Sequence, residues 1–330
     1  MEGHCDPMTH SLSGYDAAHQ PGGVAVWDRS PRGLLELRGA DRHTFLQGMV
    51  SNDVLALAPS ASRHAALLDS TGHLLADLHV HAFADALVVE TDPPCLPTLY
   101  QTLDKFLIME EVTLTDVSDQ WAIISVLGEG AARLADLPGE RRSLAVRLAS
   151  GFDLWLSAAE KVAAWKALVN AGATPLAEDD AEALRVEAGI PAWGHELNPS
   201  VLLPEAGMPD AVSYTKGCYV GQEIVARLHA RGHTNRALRQ ILLAEDAPVP
   251  PAGTTVHVPE DGPEPGREIG RITSAVASPK HSGQSLALAY VRKEYFADGT
   301  PVSVQIEQPN GLMFAHGGVI IPGTGSAGLL

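Results

Sequence analysis

The sequence predicts an α+β protein with more than one domain. Segments with the apolar and polar alternation typical of β-strands occur in the first and last thirds, and amphipathic segments typical of helices lie among them. At 330 residues the chain is longer than one ordinary hydrophobic core requires, so two or three domains are expected. Hydrophobic residues make up 45% and charged residues 19% of the chain, which is the composition of a soluble globular protein.

The composition argues against secretion, membrane insertion and direct nucleic-acid binding. The sequence has no run of about 18 apolar residues, and residues 1–25 lack a basic region followed by an apolar block. Its three cysteines, Cys5, Cys95 and Cys218, lie far apart, which fits a reducing compartment and predicts a cytoplasmic location. The formal net charge of −17 repels phosphate backbones, so no direct nucleic-acid partner is expected.

The first third of the chain predicts a flexible leader followed by hairpins and two helices. Residues 1–23 are rich in glycine, histidine, serine and proline and show no periodicity. Asp41 is expected to cap a helix that runs through residue 47, and a second helix is predicted at 97–106. A hairpin turn is expected at 69–72. The predicted strands are residues 34–38, 63–68, 73–81, 87–91 and 111–116.

The rest of the chain predicts a small ferredoxin-like α+β subdomain and then a barrel. Asp179 and Asp180 can cap a helix between the two, and Gly189 ends it. Short strands separated by proline and glycine turns then predict a small antiparallel β-barrel. The subdomain elements are strands at 121–127, 144–147 and 152–156 and helices near 129–134 and 159–170. The barrel strands are residues 240–243, 254–256, 267–274, 285–291, 301–306 and 316–321.

The predicted strand at 73–81 has one apolar face and one polar face. The two-residue period of a strand puts His73, Asp77, His79 and His81 on the polar side. Exposure of that side to solvent is the interpretation that composition favours. Metal binding by His79 and His81 with Asp77 is a less favoured alternative, and no metal site is predicted.

The segment at 215–227, T-K-G-C-Y-V-G-Q-E-I-V-A-R, concentrates reactive residue types. Gly221 is expected near the N-cap of a helix, so Cys218 lies just ahead of a helix N-terminus with Lys216 two residues upstream. Such an environment favours the thiolate over the thiol. Two interpretations remain open at this point: a nucleophilic or redox cysteine, and a small, partly buried thiol in a loop.

Residues 224–244 form a basic stretch in an otherwise acidic chain. They contain four arginines, two histidines and no acidic residue. In so acidic a protein this composition marks a place for a small anion, such as a polyglutamate tail. The alternative is a helix end and a strand edge whose arginines are solvated. The four arginines are Arg227, Arg231, Arg236 and Arg239.

The segment at 216–227 resembles the signature of the YgfZ family of folate-binding proteins through its K-G-C-Y-V-G-Q-E and I-V-A-R runs. These proteins are relatives of the T-protein, the aminomethyltransferase of the glycine cleavage system. Further segments resemble the same superfamily: S-N-D-V at 51–54, G-H-L-L-A-D-L at 72–78, R-V-E-A-G-I-P at 185–191, and I-G-R-I-T-S and L-A-L-A-Y-V-R in the barrel. T-proteins carry paired aspartates where this chain has Ala76 followed by Asp77.

The resemblance implies a three-lobed aminomethyltransferase-like fold around a central channel, within the α+β class. Its folate-binding domain is discontinuous, because hairpins from the start of the chain join segments that follow the second lobe. The implied domains are a flexible leader at 1–23, a folate-binding domain at 24–118 plus 178–236, a ferredoxin-like subdomain at 119–177 and a C-terminal β-barrel at 237–330.

The resemblance also implies the cofactor, tetrahydrofolate or a one-carbon derivative, and the residues around it. Glu187 would hold the aminopyrimidine part of the pterin, because a carboxylate accepts two parallel N–H bonds. Asp77 would face the folate nitrogens, and Arg227 or a neighbouring arginine would meet anionic groups. The catalytic candidates are Cys218, Lys216 and Asp77. The further cofactor-binding candidates from the matching motifs are Asn52, Tyr219 and Gln222.

The implied function is a folate-dependent protein that maintains iron–sulfur enzymes, including those that thiolate tRNA, which makes its link to tRNA indirect. Its expected partners are folate and iron–sulfur enzymes or their assembly proteins. One alternative is a true aminomethyltransferase that acts with a lipoyl carrier protein. Another is a catalytically silent folate-binding adaptor.

Overall fold

The structure is a computed structural model that describes residues 13–134, 139–232, 234–260, 266–307 and 313–322. It has the predicted α+β class, with two five-stranded sheets and a closed six-stranded barrel in the described residues. The α-helices are α1 (Gly14–His19), α2 (Arg42–Met49), α3 (Leu96–Phe106), α4 (Lys161–Asn170), α5 (Glu178–Ala188) and α6 (Gln222–Arg231). The strands are β1 (Ala25–Asp28), β2 (Gly33–Arg38), β3 (Ser62–Leu68), β4 (Leu74–Ala82), β5 (Ala86–Thr91), β6 (Thr113–Asp116), β7 (Trp121–Leu127), β8 (Glu140–Arg142), β9 (Gly151–Ser157), β10 (Thr174–Pro175), β11 (Arg236–Leu243), β12 (Thr255–His257), β13 (Glu268–Ala277), β14 (Ser285–Arg292), β15 (Pro301–Glu307) and β16 (Met313–Ile321).

The chain divides into two compact units, each made of two separate stretches. Unit 1 comprises Met1–Ser30 and Ala122–Ala181, and unit 2 comprises Pro31–Trp121 and Glu182–Leu330. Among the residues that the structure describes, none of the helices is long and apolar enough to cross a membrane.

Unit 1 contains a sheet of strand order β10-β1-β7-β9-β8. Strand β1 pairs with β7 antiparallel and with β10 parallel, so residues 25–28 belong to this sheet and not to the folate-binding domain predicted at 24–118. Helix α1 lies within the predicted flexible leader, where Ser13 caps it and Tyr15, Ala17 and Ala18 are buried. The prediction of a leader without structure is therefore wrong for these residues, while residues 1–12 lie outside the described part of the chain.

The strand predicted at 144–147 is also wrong, and a buried carboxylate explains why. Asp153 is fully buried and accepts hydrogen bonds from Arg29 at 2.9 Å and Ser125 at 2.5 Å. It also accepts the backbone N–H of Ala145 at 2.8 Å. A side chain thus satisfies a donor that a strand partner would otherwise bind, and strand β8, closer to the N-terminus, pairs with β9 instead.

The first sheet of unit 2 has the order β3-β4-β5-β2-β6, and all of its neighbouring strands pair antiparallel. One face of this sheet packs against α2 and α3 in a core that contains Leu35, Leu78, Val89 and Leu99. Burial of that face follows from the alternation in the sequence, because every second side chain of a strand points to the same side. The opposite face carries the polar residues of β4.

The six C-terminal strands close into a barrel of order β11-β14-β13-β12-β15-β16, which confirms the predicted barrel. Its interior contains Ile241, Val256, Ala289, Val304 and Ile320, all fully buried. Closure pairs β11 with β16, so the barrel leaves neither of these strands as an open edge.

Candidate functional site

The segment at 215–227 packs against the hairpin of β3 and β4. Gly221 is the N-cap residue of α6, as predicted, its φ of 83° lies in the left-handed region that favours glycine, and Gly232 ends the helix. A Cβ atom at Gly221 would lie 2.5 Å from the carbonyl oxygen of Asp69 in the hairpin turn. A Cβ atom at Gly72 would lie 3.0 Å from the Cβ of Ile224. The two glycines therefore allow the turn and the start of α6 to approach closely, so this segment lies against the early hairpin.

Lys216 binds the loop that follows α2. Its Nζ donates hydrogen bonds to the carbonyl oxygens of Gln47 at 2.6 Å, Val50 at 2.6 Å and Asn52 at 2.9 Å. Burial lowers the pKa of Lys216 to about 8, although the nearby Asp53 carboxylate favours the charged form. An ammonium has three N–H donors, and all three are engaged here. Lys216 thus stabilises a loop that lies far from it in sequence.

Cys218 is exposed, whereas Lys216 and Tyr219 are half-buried. The ring of Tyr219 lies 5.0 Å from the Nζ of Lys216, and burial raises the pKa of Tyr219 to about 12. Gln222 accepts the backbone N–H of Tyr219 at 3.2 Å. Exposure rules out the partly buried thiol as an explanation of Cys218. The predicted activation by Lys216 gains no support, because the three protons of that ammonium are bound by carbonyls.

The polar side of β4 is buried, so the interpretation that it faces solvent is wrong. His79 is 8% exposed, and His81 and Glu90 are fully buried. Directly paired residues of antiparallel strands share a face, which adds partners from β3 and β5 to those of β4. We call this surface the polar face; its members are Ser62, His64, Asp77, His79, His81 and Glu90.

Asp77 and His64 form the hydrogen-bonded pair at one end of the polar face. The Nε2 of His64 lies 2.7 Å from the Oδ1 of Asp77, and both side chains are less than a quarter exposed. Burial alone would raise the pKa of Asp77, but the charge and hydrogen bond of His64 outweigh it and hold that pKa below its ordinary value. The structure therefore presents an ionised carboxylate on a mostly buried surface.

His79 lies beside this pair as a neutral imidazole. Its ring stacks on that of His64 with the centroids 4.6 Å apart and the planes 3° apart. Burial, with a further contribution from His64, lowers the pKa of His79 to about 3. Its Nδ1 is buried and has no hydrogen-bond partner among the described residues. Buried polar atoms without a partner are rare in folded proteins, so this atom is a candidate for contact with a ligand.

His81 has a different role from His79. Its Nε2 lies 3.1 Å from Glu90 and its Nδ1 lies 2.8 Å from the hydroxyl of Ser62. Glu90 also accepts a hydrogen bond from Arg32 at 2.9 Å. Both ring nitrogens of His81 are thus bound within the sheet. Among the described residues, no group of three or more histidine, cysteine, aspartate or glutamate side chains is arranged to hold a metal ion.

Asn52 connects the lysine to the polar face. Its side-chain amide donates hydrogen bonds to the carbonyl oxygens of His64 at 2.8 Å and Asp210 at 2.7 Å. Its own carbonyl accepts from Lys216. Three hydrogen bonds therefore link these residues in sequence: Lys216 to Asn52, Asn52 to His64, and His64 to Asp77. The structure brings together these predicted site residues, with Asn52 in a positioning role.

Glu187 makes its described contacts with the barrel. Glu187 is 5% exposed as a whole residue. Its Oε1 accepts hydrogen bonds from the hydroxyl of Ser278 at 2.5 Å and from the backbone N–H of Lys280 at 3.1 Å. Both lone pairs of that oxygen are thereby used. Arg227 is exposed on α6. Neither residue shares a described contact with the pair of Asp77 and His64.

His64 is the site residue that sequence reasoning missed. A hairpin with its turn at 69–72 that paired residue 68 with 73 would place His64 directly opposite Asp77. The structure instead pairs Leu68 with Leu74, and a register shift between Leu67 and Leu68 then pairs His64 with His79, so that Asp77 is the diagonal neighbour of His64. The hairpin pattern thus indicated that His64 and Asp77 lie close together, although nothing in the sequence indicates the register shift.

Two family models match this chain. The model of the GCVT N-terminal domain matches residues 10–138, and that of the glycine cleavage T-protein C-terminal barrel domain matches residues 236–312. The second match covers strands β11 to β15 of the barrel, and the first covers the polar face.

Proteins similar to this chain include some that are named as transferases. The chain is 26% identical over 305 residues to a chloroplastic protein of Arabidopsis thaliana named as a transferase, covering 86% of this chain and 68% of that protein. It is 28% identical over 312 residues to an aminomethyltransferase of Exiguobacterium sibiricum, covering 84% and 81% of the two chains.

One solved structure matches most of the fold. The crystal structure of the glycine cleavage system aminomethyltransferase T from Bartonella henselae superposes with a TM-score of 0.81, covering 94% of this chain and 88% of that one. At 19% sequence identity the likeness concerns the fold. The predicted aminomethyltransferase-like fold with a C-terminal antiparallel barrel is therefore confirmed.

Proposed function

Because this chain belongs to the aminomethyltransferase-like superfamily, we propose that it binds tetrahydrofolate or a one-carbon derivative at the polar face. The observation that carries the proposal is the ionised carboxylate of Asp77, held by His64 beside the Nδ1 of His79, which has no partner in the part of the chain that the structure describes. Bound tetrahydrofolate would supply the ring nitrogens that carry one-carbon units. A polar ligand at this place would satisfy the buried Nδ1 of His79 and make contact with the carboxylate side of the pair.

The polar face fits such a ligand by its hydrogen-bonding chemistry. Reduced folates present N–H donors and ring nitrogens on a pterin whose pyrimidine ring is flat. Asp77 accepts from N–H groups, and the neutral ring of His79 can donate or accept at Nδ1, depending on its tautomer. Low exposure keeps water from competing for these atoms. Arg227, exposed on α6, is the proposed contact for the anionic end of the ligand.

The finer proposal is a YgfZ-like protein that supports iron–sulfur enzymes or their assembly proteins, and through them tRNA modification. Two features support it: the intact K-G-C-Y-V-G-Q-E segment, and Ala76 in the place where T-proteins carry the first of two aspartates. The exposed thiol of Cys218 is the group that acts on a partner protein in this proposal.

We expect Asp77→Asn to weaken tetrahydrofolate binding by about tenfold to a hundredfold, because hydrogen bonds to a charged group contribute about 1.5–3 kcal/mol. Glu187→Gln should have a smaller effect, because its Oε1 is already bound by Ser278 and Lys280. Isothermal titration calorimetry under anaerobic conditions measures both affinities.

Asp85→Asn provides the matched control, since Asp85 is an exposed carboxylate next to the same sheet, 73% exposed at its side chain. Circular dichroism would verify that each variant is folded. Absence of binding by the wild type would refute the ligand assignment. Equal affinities for the wild type and Asp77→Asn would refute only the role of Asp77.

Replacement of Cys218 by serine should abolish activity in cells while leaving folate affinity within about twofold of wild type, because the exposed thiol makes no described contact with the polar face. The measurement is the activity of iron–sulfur enzymes that thiolate tRNA in a strain lacking the protein and complemented by each variant. Full complementation by Cys218→Ser would remove the thiol from the mechanism.

A second candidate is an aminomethyltransferase that transfers a one-carbon unit to tetrahydrofolate. Relatives that match over most of this chain carry that name, which favours the candidate. A glycine-cleavage assay supplied with the other components of the system separates the two proposals, since turnover would favour transfer. Folate binding without activity in either assay would identify a folate-binding adaptor.

A further inference from the structure

A basic pocket of about 590 Å³ lies in unit 2 where the first residue of β11 meets the last residue of β14. Arg236, Arg292 and Lys293 are its cationic lining residues. The acids that line it are Glu205 and Glu294. None of these residues belongs to the polar face, so the pocket is independent of the proposed folate site.

The strand register places two arginines side by side in this pocket. Arg236 and Arg292 are directly paired residues of β11 and β14, so their side chains leave the same face of the barrel wall. Like charges directly opposite each other on neighbouring strands destabilise a sheet. Such an arrangement is unfavourable unless a negative charge lies between the two side chains.

Glu205 satisfies one of the two arginines. It lies 2.9 Å from the Nε of Arg236, and the guanidinium of Arg236 lies 4.8 Å from the ring centroid of Tyr290. These contacts fix the orientation of Arg236 and offset its charge. Arg292 and the adjacent Lys293 are exposed, and neither forms an ion pair with any described residue. Two cations therefore converge on the pocket, against the single acid Glu294.

We propose that this pocket binds a small multivalent oxyanion, bearing phosphate groups or neighbouring carboxylates, between Arg292, Lys293 and the fixed Arg236. Lining atoms of Ser200 and Asn235 add polar groups at the same place. In a chain of net charge −17, this cluster of cationic side chains is a local positive region that attracts anions. Of the arginines in the basic stretch at 224–244, Arg236 is the one that lines this pocket. This anion site is distinct from the contact proposed for Arg227, and Arg292 and Lys293 from outside the stretch complete it.

Calorimetric titration at constant ionic strength, with pyrophosphate in one series and triglutamate in another, tests the site. We expect one of these probes to bind the wild-type chain and Arg292→Gln to weaken it by about tenfold, the effect of one charge-assisted hydrogen bond. The matched control is Arg271→Gln, since Arg271 is also an exposed barrel arginine but lies outside the pocket lining. It removes the same charge and should leave affinity unchanged. The preferred probe distinguishes phosphate from carboxylate recognition.

Thermal unfolding gives a second readout. Without anion, Arg292→Gln should unfold at the same temperature as the wild type or a higher one, because the substitution removes repulsion between paired arginines. With the binding probe, the melting temperature should rise for the wild type and Arg271→Gln but not for Arg292→Gln. Absence of binding by both probes at millimolar concentration, or an equal loss of affinity in both variants, would overturn the proposal.

Discussion

Replacement of Lys216 by methionine is expected to lower the free energy of unfolding by about 3 kcal/mol, because three carbonyl oxygens lose a hydrogen bond worth about 1 kcal/mol each. Methionine keeps the length and apolar character of the side chain, so the loss reflects the ammonium group. Urea denaturation measures the difference. The control is Lys166→Met, since Lys166 is an exposed lysine on α4. A loss below about 0.5 kcal/mol, the range of ordinary surface substitutions, would contradict the structural role of Lys216.

The same variant separates two roles for the lysine. If Lys216 holds the loop after α2, Lys216→Met should weaken folate binding through Asn52 and His64 and should leave the alkylation rate of Cys218 within about twofold of wild type. If Lys216 activates the thiol, alkylation by iodoacetamide should slow while stability is retained. Measurement of both quantities on the same preparation decides between these roles.

Acidification should destabilise the protein through His79. The unfolded chain protonates this residue near pH 6.5, whereas the folded protein does so only near pH 3. Between these values the unfolded state binds more protons, so the free energy of unfolding falls as the pH falls, by about 1.4 kcal/mol per unit. From pH 6.5 to 4 this residue alone contributes a loss of about 3 kcal/mol.

A titration of stability against pH, for the wild type and His79→Gln, checks this expectation. The wild-type curve should fall more steeply than that of the variant between pH 6.5 and 4. His64, Asp77, His81 and Glu90 are the charged or titratable groups around His79. The comparison therefore uses the difference between the two curves. His73→Gln, which removes a partly exposed histidine just before β4, is the control for the loss of a histidine elsewhere in the hairpin. Parallel curves for the wild type and His79→Gln would contradict a neutral, buried His79.

Much of the fold could be predicted because alternation and turn residues are local signals. The hairpin around Gly72 and the six barrel strands follow from short alternating runs between glycine and proline turns. Strand β1 could not be predicted in this way, because it has four residues and its partners are β7 and β10, far along the chain. The local sequence pattern at 144–147 also predicted a strand that does not form. There the carboxylate of Asp153 accepts the backbone N–H of Ala145.

The site was predicted in its residue types and less well in its contacts. Sequence reasoning selected Asp77, Asn52 and Lys216, and the structure connects them, but it assigned Lys216 to the thiol and left the polar side of β4 to solvent. Burial of that side depends on what packs over it, which the alternation of one strand does not contain. The register shift that makes Asp77 the diagonal neighbour of His64, and His79 its direct partner, also has no local mark in the sequence.

The loop after α2 depends on a lysine 164 to 169 residues further along the chain. During synthesis from the N-terminus, the hairpin strands leave the ribosome long before Lys216 does. The carbonyls of residues 47, 50 and 52 are therefore hydrated until Lys216 has been synthesised. A nascent or truncated chain that ends before residue 216 can form the hairpin but cannot hold this loop. The polar face is therefore completed late in synthesis, and any ligand that needs it can distinguish a finished chain from an unfinished one.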